Sequence, residues 1–386
     1  MRVVSLELEQ FRNYAKQNLS PGPGLNILVG RNAQGKSNVL EAIYVLATSK
    51  STRAGKDTEL IQFACVSGRI HAEIDRERSP EVTVEYVFSN VEKKSARVNG
   101  VRHAKLAEVV GQFNAVLFDS GDLEIIRGEP SIRRRFLDLE IGQTSPRYLT
   151  ALGQYKKSLE QRNRLLKDLR DGRGGPTLRD SLGVWSHQVA IHGARLMERR
   201  RLFLTRLASI AADIHESLSD GQDHLQIRYI PSFPVGGLDD GPAMHGHFLE
   251  VLRADAGEEL ARGVTLHGPH RDDLTFLVND KECRLYGSQG QQRTVALSVK
   301  LAERQLIEEM VGEPPVLLLD DVLSDLDDIR RGHLFAQTAR AGSQTFLSCT
   351  NLRSFPPDVL SAATVYTVKE GIVRIGLPES DEDVEE

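Results

Sequence analysis

Cysteine is scarce in this chain: Cys65, Cys283 and Cys349 are the only three among 386 residues. Scattered so widely, they form neither a disulfide framework nor a paired zinc pattern. No apolar run approaches the roughly 20 residues that a bilayer-spanning helix needs. The N-terminal Met1-Arg2-Val3-Val4-Ser5-Leu6-Glu7 lacks the charged-then-apolar layout of a secretory leader and reads as a strand. These absences predict a reducing, cytoplasmic setting with no membrane partner. An overall basic excess is missing too, the formal charge being −5, but its distribution matters more than its sum. The last eight residues, Glu379 to Glu386, carry six acids and no base, whereas Arg147 to Arg206 holds 14 Lys/Arg against 5 Asp/Glu.

Against that background, one segment stands out. Gly30-Arg31-Asn32-Ala33-Gln34-Gly35-Lys36-Ser37 spells the phosphate-loop pattern GxxxxGK[ST] and follows the apolar run Leu25 to Val29. Glycines at both ends let the backbone wrap so tightly that several N–H groups converge on one phosphate, and the next helix adds its positive N-terminal end. Lys36 then reaches the β- and γ-phosphates, and the Ser37 hydroxyl is a ligand for Mg²⁺. Val39, Leu40, Ile43 and Leu46 supply the helical spacing that the pattern requires behind it.

The rest of the chain alternates in character. Residues 2–8 and 16–29 are strand-like, 69–76 and 81–88 are β-rich, and Val98-Asn99-Gly100-Val101 is a hairpin turn signal. Ala115 to Phe118 is a further strand, and from about 130 to 220 the pattern is helical. Tyr148, Leu152, Tyr155, Leu159, Leu166 and Leu169 fall on alternating four- and three-residue steps, with Arg162 in the missing slot. A similar series from Leu182 to Ile210 follows the break Asp171-Gly172-Arg173-Gly174-Gly175-Pro176. Together they predict an antiparallel coiled-coil hairpin, an arm of a few turns. His192 and Trp185 on that series read as packing residues.

Short strands are expected at 272–279 and 281–285, then a helix opened by Ser288-Gln289-Gly290-Gln291-Gln292 and ended by Pro314-Pro315. Val316 to Leu319 next runs into Asp320 and Asp321. A carboxylate at the end of such a strand is the oxygen ligand that a phosphate-loop magnesium needs, so Asp320 is assigned to the metal. Asp321 is placed to orient or deprotonate the attacking water, or else to cap the turn. Lys36 and Asp320 lie 284 residues apart, so a large insertion divides one nucleotide site. Ser288 and Gly290 make a second anion site of the same physical kind. Two copies related by a two-fold axis would use both, each lending Ser288 to the partner's γ-phosphate. ATP then joins the dimer and hydrolysis releases it.

These segments carry a resemblance. The phosphate loop with Asn38 to Ile43, Gly268-Pro269-His270-Arg271-Asp272-Asp273, Tyr286 to Arg293, and Leu317 to Asp321 with Leu323 to Asp327 resemble the RecF family in order from about residue 2 to 375. The resemblance implies an α/β fold: an ABC-type P-loop ATPase head of mixed sheets and helices, akin to SMC and Rad50 heads, with an inserted helical lobe containing the short hairpin. The head would be 1–125 with 265–378, the lobe 126–264, and 379–386 an acidic disordered tail. It further implies ATP and Mg²⁺ as cofactors, an ATP-dependent homodimer, and weak, DNA-dependent hydrolysis used as a switch. Double-stranded or gapped DNA, RecO and RecR, and indirectly RecA are the implied partners, in recombinational repair and replication-fork recovery. Carried over by residue, Lys36 and Asp321 are catalytic, and Ser288, Gly290 and Gln291 form the signature. Ser324 to Asp327 form the D-loop, and Arg12 of Phe11-Arg12-Asn13-Tyr14 approaches the nucleotide.

The pattern departs in two places. Asp119-Ser120-Gly121-Asp122-Leu123 stands where the family has Pro-Glu-Asp-Leu, so no glutamine loop is recognisable, and Thr350 is the stand-in for an absent switch histidine. Arg133-Arg134-Arg135, Lys156-Lys157 and Arg199-Arg200-Arg201 are candidate DNA phosphate contacts, predicting salt-dependent, sequence-independent binding. A transporter's nucleotide-binding subunit would lack the 252-residue gap between Lys36 and Ser288. A kinase or GTPase gives no reason for the Ser288 motif.

Overall fold

In a computed structural model of the chain, residues 1–77, 80–173, 175–235, 241–322, 330–334, 342–353 and 355–377 are described. They divide into two compact units. The first, Met1–Asp122 with Ser217–Gly221 and Ala296–Glu386, holds two six-stranded sheets. The second is Leu123–Glu216 with Gln222–Val295, largely helical.

In the first unit, β1 (Arg2–Phe11), β2 (Tyr14–Leu19), β4 (Ser67–Asp75), β5 (Val82–Ser89), β6 (Ser95–Val98) and β7 (Val101–His103) form an antiparallel sheet in the order β2-β1-β4-β5-β6-β7. The burial alternates residue by residue along β5, as one covered face demands. The other sheet has the order β15-β14-β3-β13-β12-β8. Here β3 (Leu25–Val29), β8 (Ala115–Phe118), β12 (Val316–Asp320), β13 (Thr345–Cys349) and β14 (Thr364–Lys369) run parallel, and β15 (Ile372–Ile375) pairs antiparallel with β14. Continuous apolar runs such as Val316 to Leu319 suit strands covered on both faces. Helix α1 (Lys36–Thr48) shares a core with Leu28, Leu318 and Phe346 on one side and Leu8, Ile70 and Phe88 on the other.

Expected strand 16–29 is two strands, β2 and β3. Pro21 and Pro23 cannot donate to a ladder, and the Asn26 side chain holds the turn, accepting from Gly22 N at 2.7 Å and donating to Gly22 O at 3.0 Å.

The second unit contains α2 (Leu123–Arg127), α3 (Pro130–Thr144), α4 (Pro146–Arg170) and most of α5 (Pro176–Leu218). It continues through β9 (Leu225–Ile230), α6 (Gly241–Ala254), α7 (Ala256–Arg262), β10 (Asp273–Val278), β11 (Lys281–Glu282), α8 (Cys283–Tyr286) and the start of α9 (Gln289–Val311). The antiparallel hairpin is real and keeps a heptad register. Arg200 Nε donates to Tyr148 Oη at 3.0 Å, a Cβ on Gly193 would lie 3.1 Å from the Tyr155 ring, and Arg162 Nε donates to Ser186 Oγ at 2.9 Å. Each step of seven forward along α4 is thus matched by seven backward along α5.

Two details differ from expectation. The buried face of α4 is Tyr148, Ala151, Tyr155, Ser158, Arg162 and Leu166, while Leu152, Leu159 and Leu169 are only half-buried. The second helix, at 43 residues, is also far longer than a few turns. Arg162 holds its slot because its guanidinium is fully engaged, donating to Glu259 Oε2 at 2.5 Å and Thr265 Oγ1 at 2.7 Å.

By their contacts, residues 265–295 group with the helical unit and Ser217–Gly221 with the unit of the two large sheets, where the sequence expectation places the lobe at 126–264. Pairing explains it: β10 lies against β9, and Asp273 receives a bidentate pair from Arg133 of α3 at 2.6 and 2.9 Å. The 281–285 strand shortens to Lys281–Glu282 before α8 begins.

Candidate nucleotide-binding site

The loop from Gly30 to Gly35 joins the end of β3 to α1, as its sequence requires. Gly30 passes so close to β14 that a Cβ there would lie 2.3 Å from Val368 O. Gly35 has φ +121, and a Cβ would lie 2.6 Å from Asn13 Nδ2 and 2.7 Å from Tyr14 Oη. Both positions are therefore closed to any other residue.

Those two neighbours are the part that motif reasoning missed. Asn13 Nδ2 donates to Gln34 O at 2.9 Å, Tyr14 Oη donates to Gly35 O at 3.0 Å, and Asn38 Nδ2 donates to Asn13 Oδ1 at 2.8 Å. From the other side, Glu370 N donates to Gln34 Oε1 at 2.7 Å and Gly371 N to Gln34 O at 3.1 Å. The β1–β2 and β14–β15 turns thus hold the loop's shape. Asn13 lies in the β1–β2 turn and Tyr14 opens β2, and the signal available in the sequence was the segment Phe11-Arg12-Asn13-Tyr14 itself. Arg12 itself is bound elsewhere: Nε and Nη2 pair with the Glu41 carboxylate at 2.8 and 2.6 Å, and Nη1 donates to Glu59 O at 2.8 Å. Its contacts are to α1 and the loop after it, rather than to the phosphate loop.

Lys36 folds onto its own loop, its Nζ donating to Gly30 O at 2.5 Å and Arg31 O at 2.8 Å. Burial lowers the Lys36 pKa, opposed by the nearby carboxylates of Asp321 and Asp320. Arg31, Asn32 and Ala33 are exposed along the loop.

The two distant halves meet at Ser37, whose Oγ donates to Asp320 Oδ1 at 2.8 Å. Parallel pairing causes the meeting: Asp320 closes β12 opposite Ser348 of β13, and Ser348 lies opposite Leu28 of β3. Ser348 Oγ also donates to Asp320 Oδ1, at 2.7 Å, and accepts from Asp321 N at 3.0 Å. A hydroxyl and a carboxylate oxygen side by side suit a hard, oxygen-seeking cation such as Mg²⁺. Asp321 has φ +54, a left-handed conformation that Asp tolerates better than most residues. Burial raises the Asp119 pKa, Gly121 N and Lys300 opposing it, with Asp320 adding to the rise. Burial likewise pushes the Cys349 thiol up to about 12, which keeps it protonated and unreactive.

In the second unit, Ser288 caps α9. Gln291 N donates to Ser288 Oγ at 3.2 Å, and Ser288 N to Gln291 Oε1 at 3.0 Å, a reciprocal box. A Cβ on Gly290 would meet nothing closer than Ser288 Oγ at 3.9 Å, so the first turn is open to an incoming group. Gln291 Nε2 also donates to Asp223 Oδ2 at 3.2 Å, and Arg127 Nε donates to Gln292 Oε1. Asp223 and Arg127 carried no sequence signal, being brought in by β9 and α2.

The basic runs read as DNA contacts are corrected in part. Arg133 and Arg200 are buried. Arg200 donates to Asp138 at 2.8 Å and Pro269 O at 2.6 Å, while Arg133 holds Asp273. Runs on amphipathic helices turn some members inward, and these two are structural. Lys156, Lys157 and Arg199 stay exposed. Ser324 to Asp327, expected to form the D-loop, and residues 379–386, expected to be an acidic tail, lie outside the described residues.

A family model described as RecF/RecN/SMC N terminal domain matches residues 2–372. Proteins named DNA replication and repair protein RecF from Shouchella clausii and Halalkalibacterium halodurans are each 42% identical over 374 residues, 97% of this chain and 99% of theirs. A solved structure of the recombination mediator protein RecF-ATPrS in the RecFOR pathway aligns with TM-score 0.89 and 33% identity, covering 97% of this chain and 98% of that one. The Smc head domain of Pyrococcus furiosus, at TM-score 0.51 and 19% identity over 97% and 95% of the two chains, shares the fold.

Proposed function

The chain belongs to the RecF family, and on that footing we propose that it is an ATP-gated DNA-binding protein of replication and recombinational repair. The observation that carries the reading is the 2.8 Å bond between Ser37 and Asp320, which brings a phosphate loop and a metal carboxylate to one point. Gly30 to Ser37 bind the phosphates of ATP, with Lys36 turning from its own carbonyls to the β- and γ-phosphates. Ser37 and Asp320 would hold Mg²⁺, which would supply positive charge against the phosphate oxygens. Asp321 orients the attacking water. Its short side chain keeps hydrolysis slow, as a switch requires. Arg12 acts indirectly, by fixing Glu41 of α1.

Ser288, Gly290 and Gln291 engage the nucleotide of a second copy, so ATP binding and dimerisation are one event. The open first turn of α9 and its cap support that role. The dimer binds double-stranded or gapped DNA and works with RecO and RecR to assist RecA loading, and hydrolysis releases it. That the related RecF structures carry ATP and ATPrS in the RecFOR pathway supports this assignment.

Gel-shift titration of a gapped duplex tests the whole: ATP should tighten binding of the native chain at least tenfold, and Lys36→Met should abolish the gain. Equal binding with and without ATP in both proteins would sink the reading.

A further inference from the structure

Phe63 is 97% exposed, and Val66 and Val91 are 61% and 81% exposed. The sheet register gathers them. Ser67 at the start of β4 faces Ser89 at the end of β5, Val87 faces Ser95, and Ala96 faces His103. Residues 63–66, 89–94 and 103–105 therefore meet at one end of the antiparallel sheet. Asn90 fastens the two apolar loops, its N donating to Val66 O at 3.0 Å and its Nδ2 to Cys65 O at 3.1 Å. Lys94 Nζ joins the neighbouring loop, donating to Ser49 O at 2.5 Å and Asp57 Oδ1 at 3.0 Å.

The rim is basic. Segments 50–66, 89–94 and 103–105 hold six Lys/Arg against three Asp/Glu. Two of those acids are engaged locally, Asp57 by Lys94 and Glu59 by Gly55 N at 3.0 Å. Lys56 and Lys93 remain exposed, and Lys50, exposed as well, lies 3.9 Å from Asp57 Oδ2. An aromatic side chain standing in water beside lysines has one natural complement in nucleic acid: a base whose face is free, flanked by phosphates. Stacked bases within a duplex offer no such face, whereas a gap does. The 51–60 loop is also tied to the nucleotide helix, since Glu41 of α1 accepts from Ser51 Oγ at 2.5 Å and from Arg12, which reaches Glu59 O.

We propose that this end of the sheet is the contact for gapped DNA, with Phe63 stacking on an unpaired base and Lys50, Lys56 and Lys93 meeting the adjoining phosphates. The proposal rests on the reading of the chain as an ATP-dependent DNA-binding protein, and it supplies a surface in place of the buried Arg133 and Arg200.

The test uses the full chain with ATP, a gapped duplex carrying 2-aminopurine in the gap, and the same duplex filled in. Phe63→Ala should weaken gapped-duplex binding about tenfold, leave the filled duplex within about twofold, and lose the 2-aminopurine signal, which Phe63→Trp should restore. Lys56→Glu with Lys93→Glu should weaken both DNAs and flatten the salt slope by about two. ATP binding by all variants should match the native chain. Phe63→Ala binding both DNAs like the native chain, or losing both equally, would overturn the proposal. So would variants that keep all DNA binding and lose only an acidic protein partner. Failure of the native chain to bind DNA with ATP is a separate result, which sinks the underlying function as well.

Discussion

Ser37 Oγ and Asp320 Oδ1, 283 residues apart in sequence, share a hydrogen bond of 2.8 Å at the mouth of the phosphate loop. Ser348 supplies a second bond to the same oxygen, so the carboxylate is aimed by two hydroxyls. Asp320→Asn retains the size and an acceptor oxygen but removes the charge. It should leave ATP binding measurable without Mg²⁺ and lower hydrolysis at least a hundredfold, with the Mg²⁺ dependence flattened. A magnesium titration of ATPase rate and of fluorescent-nucleotide affinity separates the two effects.

Asp321 lies one residue on, with φ +54. Asn accepts that backbone about as readily as Asp, so Asp321→Asn changes the chemistry without straining the turn. If the carboxylate orients water, turnover should fall at least a hundredfold and the ATP-bound dimer should accumulate. Single-turnover kinetics beside size-exclusion chromatography would detect both. A turn cap alone would leave turnover near normal.

The loop depends on its clamp. Gly35→Ala would combine a left-handed φ with contacts of 2.6 and 2.7 Å to Asn13 and Tyr14. It should cost about 1–3 kcal/mol of stability and most of the ATP affinity. Tyr14→Phe removes one bond to Gly35 O and should cost about 1 kcal/mol. Thermal melts with and without ATP distinguish these changes, because the first should also abolish the nucleotide-induced rise.

The strand–loop–helix of the phosphate motif, the apolar strand before Asp320, the Ser288 cap and the antiparallel hairpin were legible because each depends on local spacing. The clamp by Asn13 and Tyr14 was not, since it arises from hydrogen bonds to backbone brought near by the β1–β2 turn. Nor was the inward turn of Arg133 and Arg200. A run of arginines fixes how many charges a helix carries, and only tertiary partners such as Asp273 and Asp138 decide which of them face inward. The grouping of residues 265–295 with the helical unit is not legible locally for a related reason: the pairing of β10 with β9 joins segments over 40 residues apart.

The buried polar cluster of the helical unit gives a prediction on stability and pH. Arg200→Ala would strand Asp138 beside Tyr148 and should cost about 3–5 kcal/mol, with any loss of DNA binding tracking the unfolded fraction. His270, bonded to Tyr155 Oη at 2.6 Å, has its pKa lowered by burial to about 4. Between pH 6.5 and 4 the unfolded chain binds this proton and the folded chain does not, so the stabilisation is complete above 6.5 and declines as pH falls through that window. Denaturant unfolding from pH 7.5 to 4.5 should show that slope, and His270→Gln should remove its share.

The central claim is that two copies share each nucleotide, the phosphate loop from one and Ser288 from the other. Sedimentation velocity with ATP tests it most directly. The native chain should shift from monomer to dimer, Lys36→Met should neither bind ATP nor dimerise, and Ser288→Arg should bind ATP with native affinity and remain a monomer. Ser288→Arg that dimerises with ATP as the native chain does would contradict the shared site.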